Sequence, residues 1–574
     1  MKYIKYLVLL VFILVVIFFL LKLYSGHRSS DNILRLSVDN SIKTFDPAVV
    51  FNDDGLTVLS QSLETLYQYH YLKRPYEVIP SLAESMPEIT DEGRRYLIKI
   101  KRGVLYHPHK FLKDTREVIA DDFIWAIKRL AFRPLKSTGN WLFEGKIKGF
   151  NNFTNEVGDS LEKFYTKEIE GLRKIDDYTF EILLEKPEPN LLYFLSMNFT
   201  SPTPIELLKG LENDLSETLV GTGAFYLEFS NDQEYRFKKF EKFHDEYYPT
   251  VGDRYANTEQ LLGSSREKLP FLSGVEFKVI ENENERWESF KNKEIDLLNL
   301  PKKFLSFLSQ DESTLSQELE EMGVEVKHFS RQTSRWLGFN MNDPLVGQND
   351  NFRKALAHIV DVDEYIKIVT NNTSLKANSI YNPSIPGYRP ATKLDYEYNK
   401  EKALRYLHAS KVNPSAVSLT YSTRGKEDVH FKETNFFKSQ FAKLGIELKI
   451  ETLNFSQFLK RGRAGELQVW TDNWIYDYPD GENILQLLVS KNHPGINKSG
   501  YSDNEVDKLF LRMSTELDKK ERFELMYDIE KIVSRDTPWV MLLYESTYIL
   551  KQKNVKNFRK SFFIRNYTKY IRKD

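Results

Sequence analysis

The chain opens on an unbroken apolar run, Leu7 to Leu21, fifteen residues long and preceded by Lys2 and Lys5. With Tyr3, Ile4, Tyr6, Leu23 and Tyr24 added, its usable length approaches the roughly 20 residues that span a bilayer core. Residues 1–28 therefore read as a signal-anchor or a signal peptide. A retained anchor is the expectation, because Lys22 to Arg28 offers bulky residues where a signal peptidase needs small ones. The lysines stay cytoplasmic in either case, and the remainder is expected to be exported. No later stretch is comparably apolar, so that body is expected to be soluble.

Beyond a short polar linker the pattern alternates between strand and helix periods. Ile33 to Val38 predicts a strand that stops at the turn Thr44-Phe45-Asp46-Pro47, and Gln61 to Tyr71 predicts a helix. Arg95 to Lys101 and Tyr178 to Leu184 alternate as strands. Between them, Asp121 or Asp122 can cap a helix through Leu130. Val275 to Ile280, Glu285 to Lys291 and Ile295 to Leu300 read as strand, helix and strand. The clearest unit is Val417 to Tyr421 (strand), Glu427 to Leu444 (amphipathic helix) and Ile446 to Leu453 (strand). Strand–helix–strand at that spacing is a crossover between parallel strands. An α/β architecture of at least two lobes follows, and such sheets take ligands in clefts.

Composition narrows the function. A chain of 574 residues exceeds one hydrophobic core. Its net charge of −1, with no basic block outside the termini, argues against nucleic-acid binding. The absence of cysteine excludes disulfides, thiolate catalysis, Cys-bearing metal sites and acylation of an N-terminal cysteine. Gly221-Thr222-Gly223 lacks the third glycine of a dinucleotide fingerprint, and no phosphate loop, H-E-x-x-H or G-x-S-x-G occurs. His107-Pro108-His109 is the one close histidine pair, and it reads as a surface turn rather than a metal site. Asp53-Asp54, Asp121-Asp122 and Asp176-Asp177 each sit where a turn or cap wants an Asp. No catalytic group, metal or cofactor is expected.

Several segments, taken in order, resemble family 5 extracellular solute-binding proteins of ABC importers, the oligopeptide- and dipeptide-binding proteins. They are Leu36 to Pro47, Pro80 to Ser85, Arg102 to His107, Ile119 to Phe123, Ile175 to Thr179, Val220 to Phe225 (with Ala224 in place of the usual Pro), Lys293 to Asp296, Leu337 to Asn340, Phe352 to Leu356 and Trp474 to Asn483. The resemblance covers about Leu34 to Asn557. It implies a two-lobed periplasmic-binding-protein fold (Venus-flytrap, type II) with an inserted subdomain. The expected division is 33–65, 173–276 and 541–574 for lobe one, 66–172 for the insertion and 277–540 for lobe two, with crossings near Val275–Ile280 and Val540–Tyr544.

The same resemblance implies a binder of oligopeptide-like ligands that serves ABC permease subunits; the chain is expected to be monomeric and, from its apolar N-terminal run, anchored to the inner membrane. A buried ligand ammonium demands a carboxylate, and the family's lies three residues after a motif tryptophan, which implies Asp477 after Trp474. Trp474 and Tyr476 would supply ring walls, or else belong to the core. Arg461 and Arg463, with Lys460, would serve the ligand carboxylate, and the family's nearer arginine position is Thr471 here. Val49 to Gly55, with Asn52, matches the region that pairs edgewise with a peptide backbone. The open alternatives are a metal chelate, haem, opine or sugar as ligand, and a sensor or hydrolase built on the same fold.

Overall fold

The computed structural model describes residues 32–113, 116–301, 303–304, 317–425 and 428–574. The apolar run Leu7 to Leu21 lies outside the described residues. Among the described residues no helix is long and apolar enough to cross a membrane.

The first lobe is built on a four-stranded sheet ordered Ile33–Val38, Gly274–Val279, Glu234–Lys239, Phe225–Ser230. Ile33–Val38 buries Leu34, Leu36 and Val38 on one face, as its alternation requires, and runs parallel to Gly274–Val279. The C-terminal segment returns to this core. Tyr570 stacks on Tyr71 with centroids 4.2 Å apart, and Val555, Phe558 and Ile571 are buried in the same cluster.

A second four-stranded sheet runs Glu88–Thr90, Arg95–Lys99, Thr179–Leu183, Leu172–Asp176, with the helix Ala120–Ala131 packed on it through Phe123 and Ile127. The boundary expected between 172 and 173 falls inside this sheet, because Thr179–Leu183 pairs with Arg95–Lys99. One core then continues to Leu215. The Asp46 of the opening turn reaches this unit as a buried ion pair with Arg129, 2.6 Å. The helix expected over Gln61 to Tyr71 is absent. It forms earlier, at Asp53–Leu59, and the aromatic alternation beyond it makes a strand, Tyr67–Tyr69, that pairs with Val78–Pro80. The Gly221-Thr222-Gly223 loop crosses the bend between the two. A side chain at Gly221 would lie 2.0 Å from the Ser62 carbonyl oxygen, so only glycine fits.

The second lobe is a seven-stranded sheet ordered Leu297–Asn299, Trp539–Gln552, Val324–Phe339, Val469–Ile475, Ser418–Arg424, Glu447–Leu453, with Leu375–Lys376 on Trp539–Gln552. Ser418–Arg424 and Glu447–Leu453 are parallel, joined by the helix Asp428–Ala442, as their spacing predicts. The return crossing lies later than Val540–Tyr544. Trp539–Gln552 stays paired with Val324–Phe339 up to Gln552, with Ile549 already packed in the lobe-one core that the residues after Gln552 join. Asp296 ties the lobes at this seam, accepting from the Arg35 backbone N–H at 2.7 Å and pairing with Lys573 at 2.9 Å.

Candidate ligand-binding cleft

A cavity of about 470 Å3 opens between the lobes. Lobe one contributes the helix Asp53–Leu59 and the returning segment 562–566, the inserted unit contributes Trp141 and 196–199, and lobe two contributes 331–333 and 475–477. Phe51 and Ile475, 69% and 61% exposed, line it from opposite lobes, so large apolar side chains stand in the solvent of the cleft rather than in a core.

The lobe-two wall arises from one irregularity. Val324–Phe339 pairs with both neighbouring strands, but its register with Trp539–Gln552 shifts between Ser330 and Ser334. On the other side the ladder reaches Thr333 opposite Ile475, and the Tyr476 N–H then donates to the Gln332 carbonyl at 2.9 Å. One step further along the two chains stand Arg331 and Asp477, both at the cavity.

Asn483 positions Asp477. Its amide nitrogen donates to the Asp477 carboxylate at 3.1 Å, while its amide oxygen accepts from the Asp477 N–H at 3.1 Å and from Trp474 Nε1 at 2.7 Å. Asp477 is exposed at the cavity, and desolvation by the surrounding cleft pushes its carboxyl above the ordinary value. Among the described residues it has no cationic partner. Trp474 packs against the lobe-two core instead of lining the cavity, and Tyr476 does both, lining it while buried in that core.

The next residue of the segment faces the other lobe. Tyr478 is buried in the core of the inserted unit, 5.4 Å from the Phe194 ring and stacked at 6.1 Å on Tyr193 and 6.3 Å on Trp141. Beside it, Asn190 donates to Glu482 at 2.6 Å across the cleft, and Arg522 holds Asp480 and Glu482. Burial and the facing Glu482 push the Glu188 carboxyl up to about 7.

Arg461 and Arg463 lie away from the cavity lining. They end the helix Phe455–Arg463, where Arg461 pairs with Glu451 at 2.6 Å and Glu466 at 3.2 Å. Thr471 is buried in the sheet, bonded to the Tyr421 hydroxyl at 2.7 Å. Asn52 caps the helix Asp53–Leu59 by accepting from the Gly55 N–H, and its neighbours Phe51 and Asp53 line the cavity in its place.

The cations at the cavity are Arg331 and Arg565, two residues that sequence reasoning missed. Arg565 pairs with Asp53 at 2.7 Å and holds its carboxyl below the usual range against the effect of burial. Arg331 lies 5.5 Å over the Phe562 ring, and its Nε is buried without a hydrogen-bond partner. Glu64, which lines the cavity, and His244 and Glu246 bring one ligand atom each within 4.8 Å of one another, a donor set that could hold a metal. Internal partners already satisfy it: His244 Nε2 lies 3.0 Å from Glu64, and Lys569 lies 2.8 Å from Glu246. His107 is equally internal, its Nε2 2.8 Å from the Gly223 carbonyl and its imidazole driven down to about 4 by burial.

Comparison with known proteins places this architecture. The family model described as "Bacterial extracellular solute-binding proteins, family 5 Middle" matches residues 77–495. The chain belongs to this family. Family 5 proteins are binding proteins rather than enzymes, and they work outside the cytoplasm. The chain is 24% identical to the dipeptide-binding protein DppE of Bacillus subtilis over 551 residues, covering 92% of this chain and 90% of that one. It is 23% identical to heme-binding protein A of Haemophilus influenzae, with 94% and 92% covered. Among solved structures it matches HbpA2 of Haemophilus parasuis with a TM-score of 0.78 at 20% identity, covering 94% of this chain and all of that one. It matches the periplasmic binding protein DppA of Helicobacter pylori, in complex with the peptide STSA, with a TM-score of 0.66 at 24% identity, covering 94% and 98%. The fold is thus the two-lobed periplasmic-binding fold of family 5.

Proposed function

We propose that this family 5 protein captures short peptides in the interlobe cavity and hands them to the permease of an ABC importer. The observation that carries the reading is Asp477, a carboxylate held at the cavity by Asn483 with no cation of its own among the described residues. A ligand ammonium has three donors and a full charge, and a carboxylate facing it in the cleft is the group that compensates both. Relatives named for dipeptides and a neighbour holding a peptide support the assignment. The protein acts as a monomer. Native mass spectrometry of residues 29–574 purified from cells tests the reading. Short peptides should co-purify, and a chelate, opine or sugar in their place would contradict it.

The N-terminal run is proposed to stay in the mature protein as its membrane anchor, because Lys22 to Arg28 lacks a small-residue cleavage site. N-terminal sequencing of the membrane fraction checks this. A mature start between Ser25 and Asn32 would contradict it.

A further inference from the structure

The end of the cavity built from Asp53, Arg331, Phe562 and Arg565 sets two cations against one carboxylate in its lining. Two of its cations line the cavity. A third, Lys560, has its Nζ 5.4 Å from the Phe562 ring centroid and 5.5 Å from that of Tyr567. Among the described residues, neither Arg331 nor Lys560 has a carboxylate partner. Arg331 stands 5.5 Å over the same Phe562 ring, so the two cations share one aromatic neighbour. Burial, with Arg565 and Arg331 adding to it, drives the Lys560 ammonium down to about 8.

Of these three cations only Arg565 is paired, with Asp53, so among the described residues Arg331 and Lys560 stand without a carboxylate partner. Gathering cations without anions is unfavourable, and a buried, unbonded Nε carries an additional cost of desolvation. Such an arrangement is what a site shaped for an anion looks like before the anion arrives. A guanidinium fork matches a carboxylate in a bidentate way, while an ammonium serves as a movable point charge beside it.

We propose that this end of the cavity selects ligands carrying two adjacent negative charges, and that the preferred peptides end in Asp or Glu. The α-carboxylate and the side-chain carboxylate of such a residue supply the two missing charges on neighbouring atoms. With its ammonium at Asp477, the ligand would bring one positive and two negative charges to the cavity. The assignment rests on the peptide reading of this cleft, which it deepens by naming the charge class of the ligand. Arg461 and Arg463, paired on a remote helix, take no part in it.

Calorimetric titration of the whole chain with Ala-Ala-Glu and Ala-Ala-Gln tests the inference, because the two peptides share their amine, length and terminal carboxylate. Ala-Ala-Glu should bind about tenfold tighter, since one charge-assisted contact is worth roughly 1.5–3 kcal/mol and 1.4 kcal/mol is tenfold. In Arg331→Gln the ratio should fall to about twofold, and Lys560→Met should lower it independently, which keeps the test alive if one variant folds poorly. Equal affinities in the wild type would overturn the charge selection and leave peptide capture standing. Binding of neither peptide would overturn both. A wild-type preference that survives in both variants would overturn the assignment to this cluster.

Discussion

Replacing Tyr478 by Ala should open the cleft. All three ring partners of Tyr478, Trp141, Tyr193 and Phe194, belong to the opposite lobe, and the side chain is only 5% exposed. A buried tyrosine removes roughly 150–250 Å2 from water, worth about 4–6 kcal/mol at ~25 cal/mol per Å2. Its own lobe keeps part of that area covered after opening, so about half, ~2–3 kcal/mol, is the share that closure supplies. A loss of that size moves the open–closed equilibrium by about 30- to 150-fold. Because the ligand is held between the lobes, its dissociation constant should rise by up to the same factor. Small-angle scattering should show a larger radius of gyration for Tyr478→Ala than for the wild type, and calorimetry should show the weaker binding. Tyr478→Phe keeps the ring and should stay within about twofold of wild type in affinity. If Tyr478→Ala kept both the wild-type profile and the wild-type affinity, the view that this ring clasps the lobes would be wrong.

The facing carboxylates make closure sensitive to pH. The closed form holds a proton on Glu188 until about pH 7, against an ordinary value of 4.5, so closure should weaken as pH rises between those two values and level off above them. Scattering at about pH 5 and about pH 8 should show the change, and Glu188→Gln should flatten it. At the hinge seam, Asp296→Ala leaves the buried Lys573 ammonium without its partner. It should cost about 3–5 kcal/mol, read as a lower melting temperature, with Asp296→Asn recovering part by keeping an acceptor for the Arg35 N–H.

The parts of the fold that local chemistry dictates were legible in the sequence. The alternation of Ile33 to Val38 and the strand–helix–strand unit from Val417 to Leu453 appear as parallel-sheet elements because burial on one face leaves a periodic trace. The span from Trp474 to Asn483 led to the cleft through its resemblance to the family's tryptophan motif, and no periodicity marks it. The misplaced helix at Gln61 to Tyr71 shows where the method fails. Tyr67, Tyr69 and Tyr71 are buried along with nearly every residue from Gln61 to Leu72, and the tertiary packing of those rings outweighs the helical reading.

Nothing along the chain marks Arg331 as a cleft residue. It sits inside a sixteen-residue strand, and only the register shift between Ser330 and Ser334 coincides with its place at the cavity. Phe562 and Arg565 reach the site by the return of the chain to lobe one, a matter of topology that composition does not record. Conversely, nearness in sequence misled for Arg461 and Arg463. The helix that carries them precedes the cleft strand directly, yet it ends away from the cavity in local ion pairs.

The central claim is that Asp477 receives a ligand ammonium, and calorimetric titration with free and N-acetylated forms of one binding peptide tests it most directly. Truncating one member of a buried charge pair costs roughly 2–5 kcal/mol, or about 30- to several-thousand-fold in dissociation constant. The wild type should prefer the free amine by a factor in that range, and Asp477→Ala should lose most of the preference with little change in melting temperature. Equal binding of the two peptides by the wild type would contradict the account.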